Sequence, residues 1–383
     1  MTACPACLRR TELLGRLAGG IEIARHQRRP IRDVLALSEE ALVLAVAGDR
    51  APEILAGLGD GDGAALAAAA SAAGLVAVCR HHDAYPAQLH DDRSAPAVLF
   101  LRAGDDARGR LAALVGSADG ERPPVASIVG TRKASPEALD VARTLARGLA
   151  AAGVTVVSGM AMGIDSAAHA GALEGGGTTV AVLAGGADVP YPAGKRRLYE
   201  QIAARGVVLS EMPPGFRAFK WCFPARNRTI AGLAQAVIVV EAAERSGSLI
   251  TAEMALDLGR DVGAVPGPVI SWRSRGTNAL LRDGATLIRD ARDALDLVLG
   301  LDGAAAAQLR SAGALVAPPP DLAPALLALL AGVDEGRDTV GTLATHAAGA
   351  ATVRAGLMEL ELLGLVRRLP GGRVIRTLAG AAL

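Results

Sequence analysis

Aromatic residues are scarce in this 383-residue chain: two Trp, three Tyr and four Phe amount to 2% of it. That excludes a core built mainly on ring packing and leaves the interior to Ala, Val, Leu and Ile. Cysteine is equally sparse. Four of them, Cys4, Cys7, Cys79 and Cys222, are too few for the disulfide framework of a small secreted domain. Cys4 and Cys7 form a CxxC with no second pair at zinc-like spacing, so no metal site is expected from them. Long apolar runs are missing too: no uncharged stretch exceeds 17 residues, as at Gly63–Cys79. That stretch is Ala-rich, which reads as a buried helix and a strand rather than a membrane span. The polar N-terminus lacks the apolar segment of a signal peptide, and a cytoplasmic protein without membrane contact is expected. A net charge of +1 does not by itself announce a nucleic-acid partner.

What is abundant is glycine, 46 residues, and it punctuates a regular alternation. From Val125 the chain repeats strand, turn and helix. Near-continuous apolar runs at Val125–Val129, Val154–Val157, Thr179–Leu183, Val207–Leu209, Ala236–Glu241 and Val262–Val265 suit parallel strands buried on both faces. Helical segments lie between them, the first opening on Ser135 as N-cap with Pro136 at the first helical position. The alternation predicts an α/β fold, an extended Rossmann-like doubly wound sheet, over residues 125–300. Residues 1–100 carry Leu and Ala at helical spacing and read as a separate helical domain. The polar stretch 101–124 reads as a linker, and so does the Ala/Pro-rich stretch 301–320. Three helical segments and a hairpin turning at Pro370–Gly372 give residues 321–383 the pattern of a winged helix.

Three loops carry candidate chemistry. In SGMAMGID (Ser158–Asp165) a strand, a Gly-containing turn and a helix start offer outward backbone amides and a helix dipole to an anion. GTRKAS (Gly130–Ser135) follows the neighbouring strand and brings Arg132, a bidentate phosphate donor. FRAFKWCFPARNR (Phe216–Arg228) interleaves cations with rings, a composition suited to single-stranded nucleic acid, where cations track phosphates and rings stack on bases. Residues 193–228 hold eight Lys and Arg against two acids, and six of the nine aromatics lie between Tyr191 and Phe223.

Other chemistries fit less well. The first βαβ unit lacks GxGxxG and an acid for a ribose hydroxyl, which argues against a dinucleotide. Asp165, Glu211, Glu241 and Glu253 fall near strand ends or helix starts, but no spacing among them specifies a reaction. His169 reads as structural, and no nucleophile–base pair is visible.

SIVGTRKAS (Ser127–Ser135), SGMAMGIDSAAH (Ser158–His169) and FPARNRTIAGLA (Phe223–Ala234) resemble the core motifs of the DprA/Smf family, DNA-processing protein A. GSLITAEMALDLGRDVGAVPG (Gly247–Gly267) and GTNALLRDGA (Gly276–Ala285) extend the resemblance over about residues 83–298. It implies sequence-independent binding and protection of single-stranded DNA, help in loading the RecA recombinase during natural transformation, a homodimer, no cofactor and no catalysis. It also implies an N-terminal domain of the SAM or helix-hairpin-helix kind, although residues 1–75 show no clear hairpin glycine motif. The expected phosphate contacts are Gly130, Arg132, Ser158, Gly159, Met160, Gly163, Lys220, Arg226 and Arg228, with Phe223 stacking on a base. Asn227, Ser246, Gly247 and Ser248 are expected to support the loop. The competing class is a lysine-decarboxylase-like nucleotide phosphoribohydrolase, whose PGGxGT loop is missing here: the comparable junction reads ERSGSLITAEMA (Glu244–Ala255).

Overall fold

Six short helices open the chain: α1 (Pro5–Arg16), α2 (Ala18–His26), α3 (Ile31–Ala36), α4 (Glu39–Val46), α5 (Ala51–Ala56) and α6 (Ala64–Ala72). Their starts follow local chemistry. Pro5 occupies the first turn of α1, and Ser38 caps α4 by accepting from Ala41 N at 3.2 Å, with Glu39 and Glu40 behind it. Both devices satisfy or remove amides that a helix start leaves unpaired. The computed structural model describes residues 3–27, 29–57, 63–90, 92–104, 106–116, 122–300, 318–319, 322–344, 349–368 and 372–377. It divides into two units, Met1–Ala304 and Ala305–Leu383.

The first unit is organised on one sheet. Its strands are β1 (Val76–Cys79), β2 (Val98–Arg102), β3 (Val125–Val129), β4 (Thr155–Ser158), β5 (Thr179–Leu183), β6 (Val207–Ser210), β7 (Ala236–Val239), β8 (Asp261–Ala264) and β9 (Thr286–Leu287). They lie in the order β1-β2-β6-β5-β4-β3-β7-β8-β9. From β3 to β9 all pairings are parallel, whereas β2 runs antiparallel to β6 and to β1. The linking helices are α7 (Ala107–Val115), α8 (Pro136–Ala151), α9 (Ile164–Glu174), α10 (Arg196–Arg205), α11 (Cys222–Leu233), α12 (Gly247–Asp257) and α13 (Arg275–Arg282). Helix α8 shows why such segments dock. Ala138, Ala142, Leu145, Ala146 and Leu149 are buried at helical spacing, while Ser135 caps the start, so one apolar stripe faces the sheet.

Two boundaries differ from those expected. Residues 1–100 are not a separate helical domain. Strands β1 and β2 extend the sheet, and Leu13, Ile21, Leu42 and Ile54 of the opening helices share one core with Val129, Val182 and Val237. Nor is 101–124 a plain linker, since α7 buries Leu111, Leu114 and Val115 within it. Its part at 117–121 lies outside the described residues, as does the expected linker 301–320 apart from residues 318 and 319.

In the second unit, helices Pro324–Asp334, Val340–Ala344 and Ala350–Leu362 precede a hairpin of β10 (Val366–Arg368) and β11 (Val374–Arg376). Leu326, Leu330, Val353, Leu357, Leu360, Val366 and Val374 form its own core. The expected turn at Pro370–Gly372 lies outside the described residues except for Gly372. Among the described residues, no helix is long and apolar enough to cross a membrane.

Candidate nucleic-acid interface

The strand order reverses at β3. The chain steps outward through β4, β5 and β6, then crosses back to β7 on the other side of β3. In a parallel sheet the crevice beyond the carboxyl ends of the strands at such a switch point is where ligands bind. The loops after β3, β4 and β7 meet there.

These loops hold one another. Ile164 N donates to Thr131 O at 3.3 Å, Thr131 N to Glu241 O at 2.8 Å. Both oxygens of the Glu241 carboxylate accept from Ser135, from its N at 3.0 Å and its Oγ at 2.9 Å. The approach of the β3 and β4 loops is close enough to demand glycine. A Cβ at Gly163, where φ is +81°, would stand 2.3 Å from Thr131 O, and one at Gly130 would stand 2.6 Å from Ile164 Cγ1. The GTR loop is thus braced from two sides before any ligand arrives.

Arg132, on that loop, is exposed, and its guanidinium carbon lies 4.8 Å from the centroid of the Phe223 ring. That is cation–π distance. Phe223 stands half-buried in the first turn of α11, and the Tyr191 ring, 50% exposed, lies 6.1 Å from it at 59°. Phe219 is 41% exposed with Phe216 packed 6.0 Å from it, and Lys220 is exposed beside it in the chain. Trp221 has the opposite role. It is fully buried, and its backbone N donates to Glu22 Oε2 on α2 at 2.8 Å. The Phe216–Arg228 segment therefore alternates between rings that anchor it and rings it displays. Tyr191 was not among the expected contacts; its place in the aromatic cluster was the available signal.

Several expected phosphate contacts are otherwise engaged. The SGMA turn is already filled by a carboxylate of its own helix, because Gly159 N and Ala161 N point to Asp165 Oδ2 at 3.2 and 3.4 Å. Ser166 N and Ala167 N bond Ala161 O and Gly163 O. Ser158 is fully buried, with Oγ donating to Ile128 O at 2.6 Å. Met160 is buried at φ +59° against Leu173, Leu183 and Tyr199. This turn is a scaffold for the GTR loop, and its amides are not the open cradle that the glycines suggest.

Arg226 and Arg228 are corrected in the same sense. Arg228 is 1% exposed and forms a buried ion pair with Glu211. Arg226 is 5% exposed, donates to Val182 O at 3.1 Å and lies 3.9 Å from Asp165 Oδ2. Burial raises the Asp165 carboxyl and lowers the Arg226 guanidinium, each opposed by the other's charge. Gly159 leaves room for this arginine, since a Cβ there would overlap Arg226 Nη1. Both cations are spent inside the fold.

The supporting residues tie α11 to α12. Asn227 Nδ2 donates to Gly247 O at 3.3 Å, while Ser246 caps α12 by accepting from Ser248 N at 3.4 Å and lies 2.8 Å from Ser248 Oγ. His169 is buried with Nδ1 2.8 Å from Thr179 Oγ1, and burial holds its pKa down to about 3. It is a neutral structural imidazole.

The fold and the rim together define a class: a switch-point α/β sheet whose loop face displays cations beside rings, with no dinucleotide fingerprint. Residues 76–299 match the family model of DNA recombination-mediator protein A, and the chain belongs to that family. It is 36% identical over 318 residues to the Smf protein of Synechocystis, covering 76% of this chain and 78% of the relative. It is 52% identical over 176 residues to a DprA-named protein of Mycobacterium tuberculosis. That match covers 46% of this chain and 45% of the mycobacterial protein, so the chain spans about half of the relative's length. The X-ray structure of DNA processing protein A from Streptococcus pneumoniae aligns with a TM-score of 0.58 at 32% identity. The alignment covers 77% of this chain and 98% of the pneumococcal one.

Proposed function

We propose that the protein binds single-stranded DNA without sequence preference, protects it, and assists its loading with the RecA recombinase in natural transformation and recombination. It does so as a cytoplasmic homodimer, without a cofactor and without catalysing a reaction. The observation that carries this reading is the exposed Arg132 guanidinium stacked on Phe223 beside Tyr191 and Lys220. One cation on a braced loop fits a backbone phosphate, and rings at the same rim offer bases a face that every sequence shares. The names of the Streptococcus pneumoniae and Mycobacterium tuberculosis relatives, which refer to DNA processing, support the same reading. The phosphoribohydrolase alternative loses ground because the PGGxGT loop that leads into its catalytic acid is replaced here by ERSGSLITAEMA (Glu244–Ala255). The second unit, read as a winged helix, serves self-association or protein contact rather than DNA reading.

A salt titration tests the proposal. Wild-type protein should bind oligothymidylate at about micromolar concentration or tighter, with log K falling against log salt by about 0.7 per phosphate contacted. Arg132→Ala and Lys220→Ala should weaken binding and flatten that slope by about one contact each. Phe223→Ala should cost roughly 1–3 kcal/mol while leaving the slope nearly unchanged. If all three variants bind like wild type, the interface lies elsewhere.

A further inference from the structure

The fold assembles a set of ligand atoms that the chain scatters. Cys4 stands at the N-cap of α1 and Cys7 in its first turn, while Cys79 ends β1 and His81 follows in the turn after it. One ligand atom from each of the four lies within 4.8 Å of all the others. Cys4 Sγ is 3.3 Å and Cys7 Sγ 3.5 Å from His81 Nδ1, and Cys4 N points to Cys79 Sγ at 3.4 Å. A tetrahedral zinc ion with Zn–S near 2.3 Å and Zn–N near 2.05 Å separates sulfur from nitrogen by about 3.6 Å and sulfur from sulfur by about 3.8 Å. The two sulfur–nitrogen distances therefore fit ligands around one shared ion, and the remaining separations stay within 4.8 Å. None of the four cysteines of the chain is in a disulfide.

We propose that Cys4, Cys7, Cys79 and His81 form a structural Cys3His zinc site. The spacing C-x2-C with C-x-H hid it, because the second pair is separated from the first by 71 intervening residues and only pairing of β1 into the sheet brings it back. All four positions are filled by protein, so the site is closed and holds structure rather than activating water. Binding is a ligand exchange with no change of oxidation state: zinc gives up water, the three thiols lose their protons to solvent, and neutral His81 coordinates through Nδ1. The site fastens the start of α1 to β1, an edge strand of the sheet. It sits against a small core of Ala3, Leu8, Leu66, Ala70, Leu75 and Phe100, where a cross-link adds stability that so few side chains cannot supply.

Metal analysis of the 383-residue chain, purified under reducing conditions without chelator, should return one zinc per chain. Replacing zinc by cobalt should give the intense visible d–d bands of a tetrahedral site together with thiolate charge transfer. Cys79→Ser should lose the metal and its absorption. His81→Cys should keep both with a shifted spectrum, and Cys222→Ser, whose sulfur is buried in the separate main core, should match wild type. Because His81→Cys and Cys222→Ser need not disturb folding, failure of one variant to fold does not spoil the comparison. Reduced protein that contains no zinc and gives no tetrahedral cobalt spectrum overturns the proposal. So does metal content that survives Cys79→Ser unchanged.

Discussion

Two buried charges and a buried imidazole show what single residues do here. Arg228 is read from sequence as a DNA contact, yet its guanidinium is matched with Glu211 inside the fold. Removing one member of a buried pair strands the other, at a cost of roughly 3–5 kcal/mol. Arg228→Ala should therefore lower the urea midpoint sharply, and Arg228→Met with Glu211→Leu should recover much of the loss. A DNA-contacting arginine would show the reverse pattern, near-normal unfolding with weakened binding, which is what Arg132→Ala should show. His169 yields a pH signature. Its imidazole is held at about 3 by burial, with Arg226 adding to the effect, against 6.5 in an unfolded chain. Below 6.5 the unfolded state takes a proton that the folded state refuses. This contribution to stability is full above 6.5 and declines as pH falls toward 3, by up to about 1.4 kcal/mol per pH unit. Denaturant midpoints of His169→Gln against wild type across that window should show a shallower acid limb in the variant.

At the scale of elements, the parallel strands β3 to β8 were legible because each is a short, mostly apolar run, most with glycine close by, and burial on both faces imposes that pattern. β1 was legible as a strand at the end of the stretch Gly63–Cys79, but neither it nor β2 was legible as a member of the sheet. β2 joins the sheet through β6, more than a hundred residues downstream, and no local pattern announces a non-local antiparallel pairing. The glycine turn after β4 was legible as a tight junction, while its occupant was not: Asp165 satisfies the amides from within the next helix. The turn's use is to place Arg132. Two glycines at positive φ separate strain from crowding. Gly215→Ala, at φ +70° with nothing within 4 Å of the new Cβ, should cost only the left-handed penalty, roughly 1–2 kcal/mol. Gly163→Ala adds a Cβ at 2.3 Å from Thr131 O, so it should melt lower and lose single-stranded DNA affinity as the GTR loop is displaced. Equal melting temperatures and equal affinities for the two variants would contradict that account.

Over the whole molecule, basic charge is unevenly spent. The arginine–aromatic rim belongs to the unit Met1–Ala304. Residues 321–383 hold six basic and six acidic side chains, and the fold pairs them further. Arg337 meets Glu335 at 2.8 Å, Arg368 Glu361 at 3.0 Å, Arg373 Asp338 at 2.6 Å and Arg376 Asp334 at 2.8 Å. Phosphate binding draws on cations that can exchange counterions for DNA, and at least four of these six already have a carboxylate. The helix Ala350–Leu362, where a recognition helix would be sought, contributes Arg354 against Glu359 and Glu361. Each unit has its own apolar core, so each can be made alone. Fragment Met1–Ala304 should keep the affinity for oligothymidylate and the salt slope of the full chain to within about threefold, because the proposed phosphate contacts Arg132 and Lys220 lie in it. Fragment Ala305–Leu383 should show no salt-dependent binding. If the small fragment binds DNA, or the large one loses several contacts from its slope, the second unit shares in the grip and the paired arginines must open to do so.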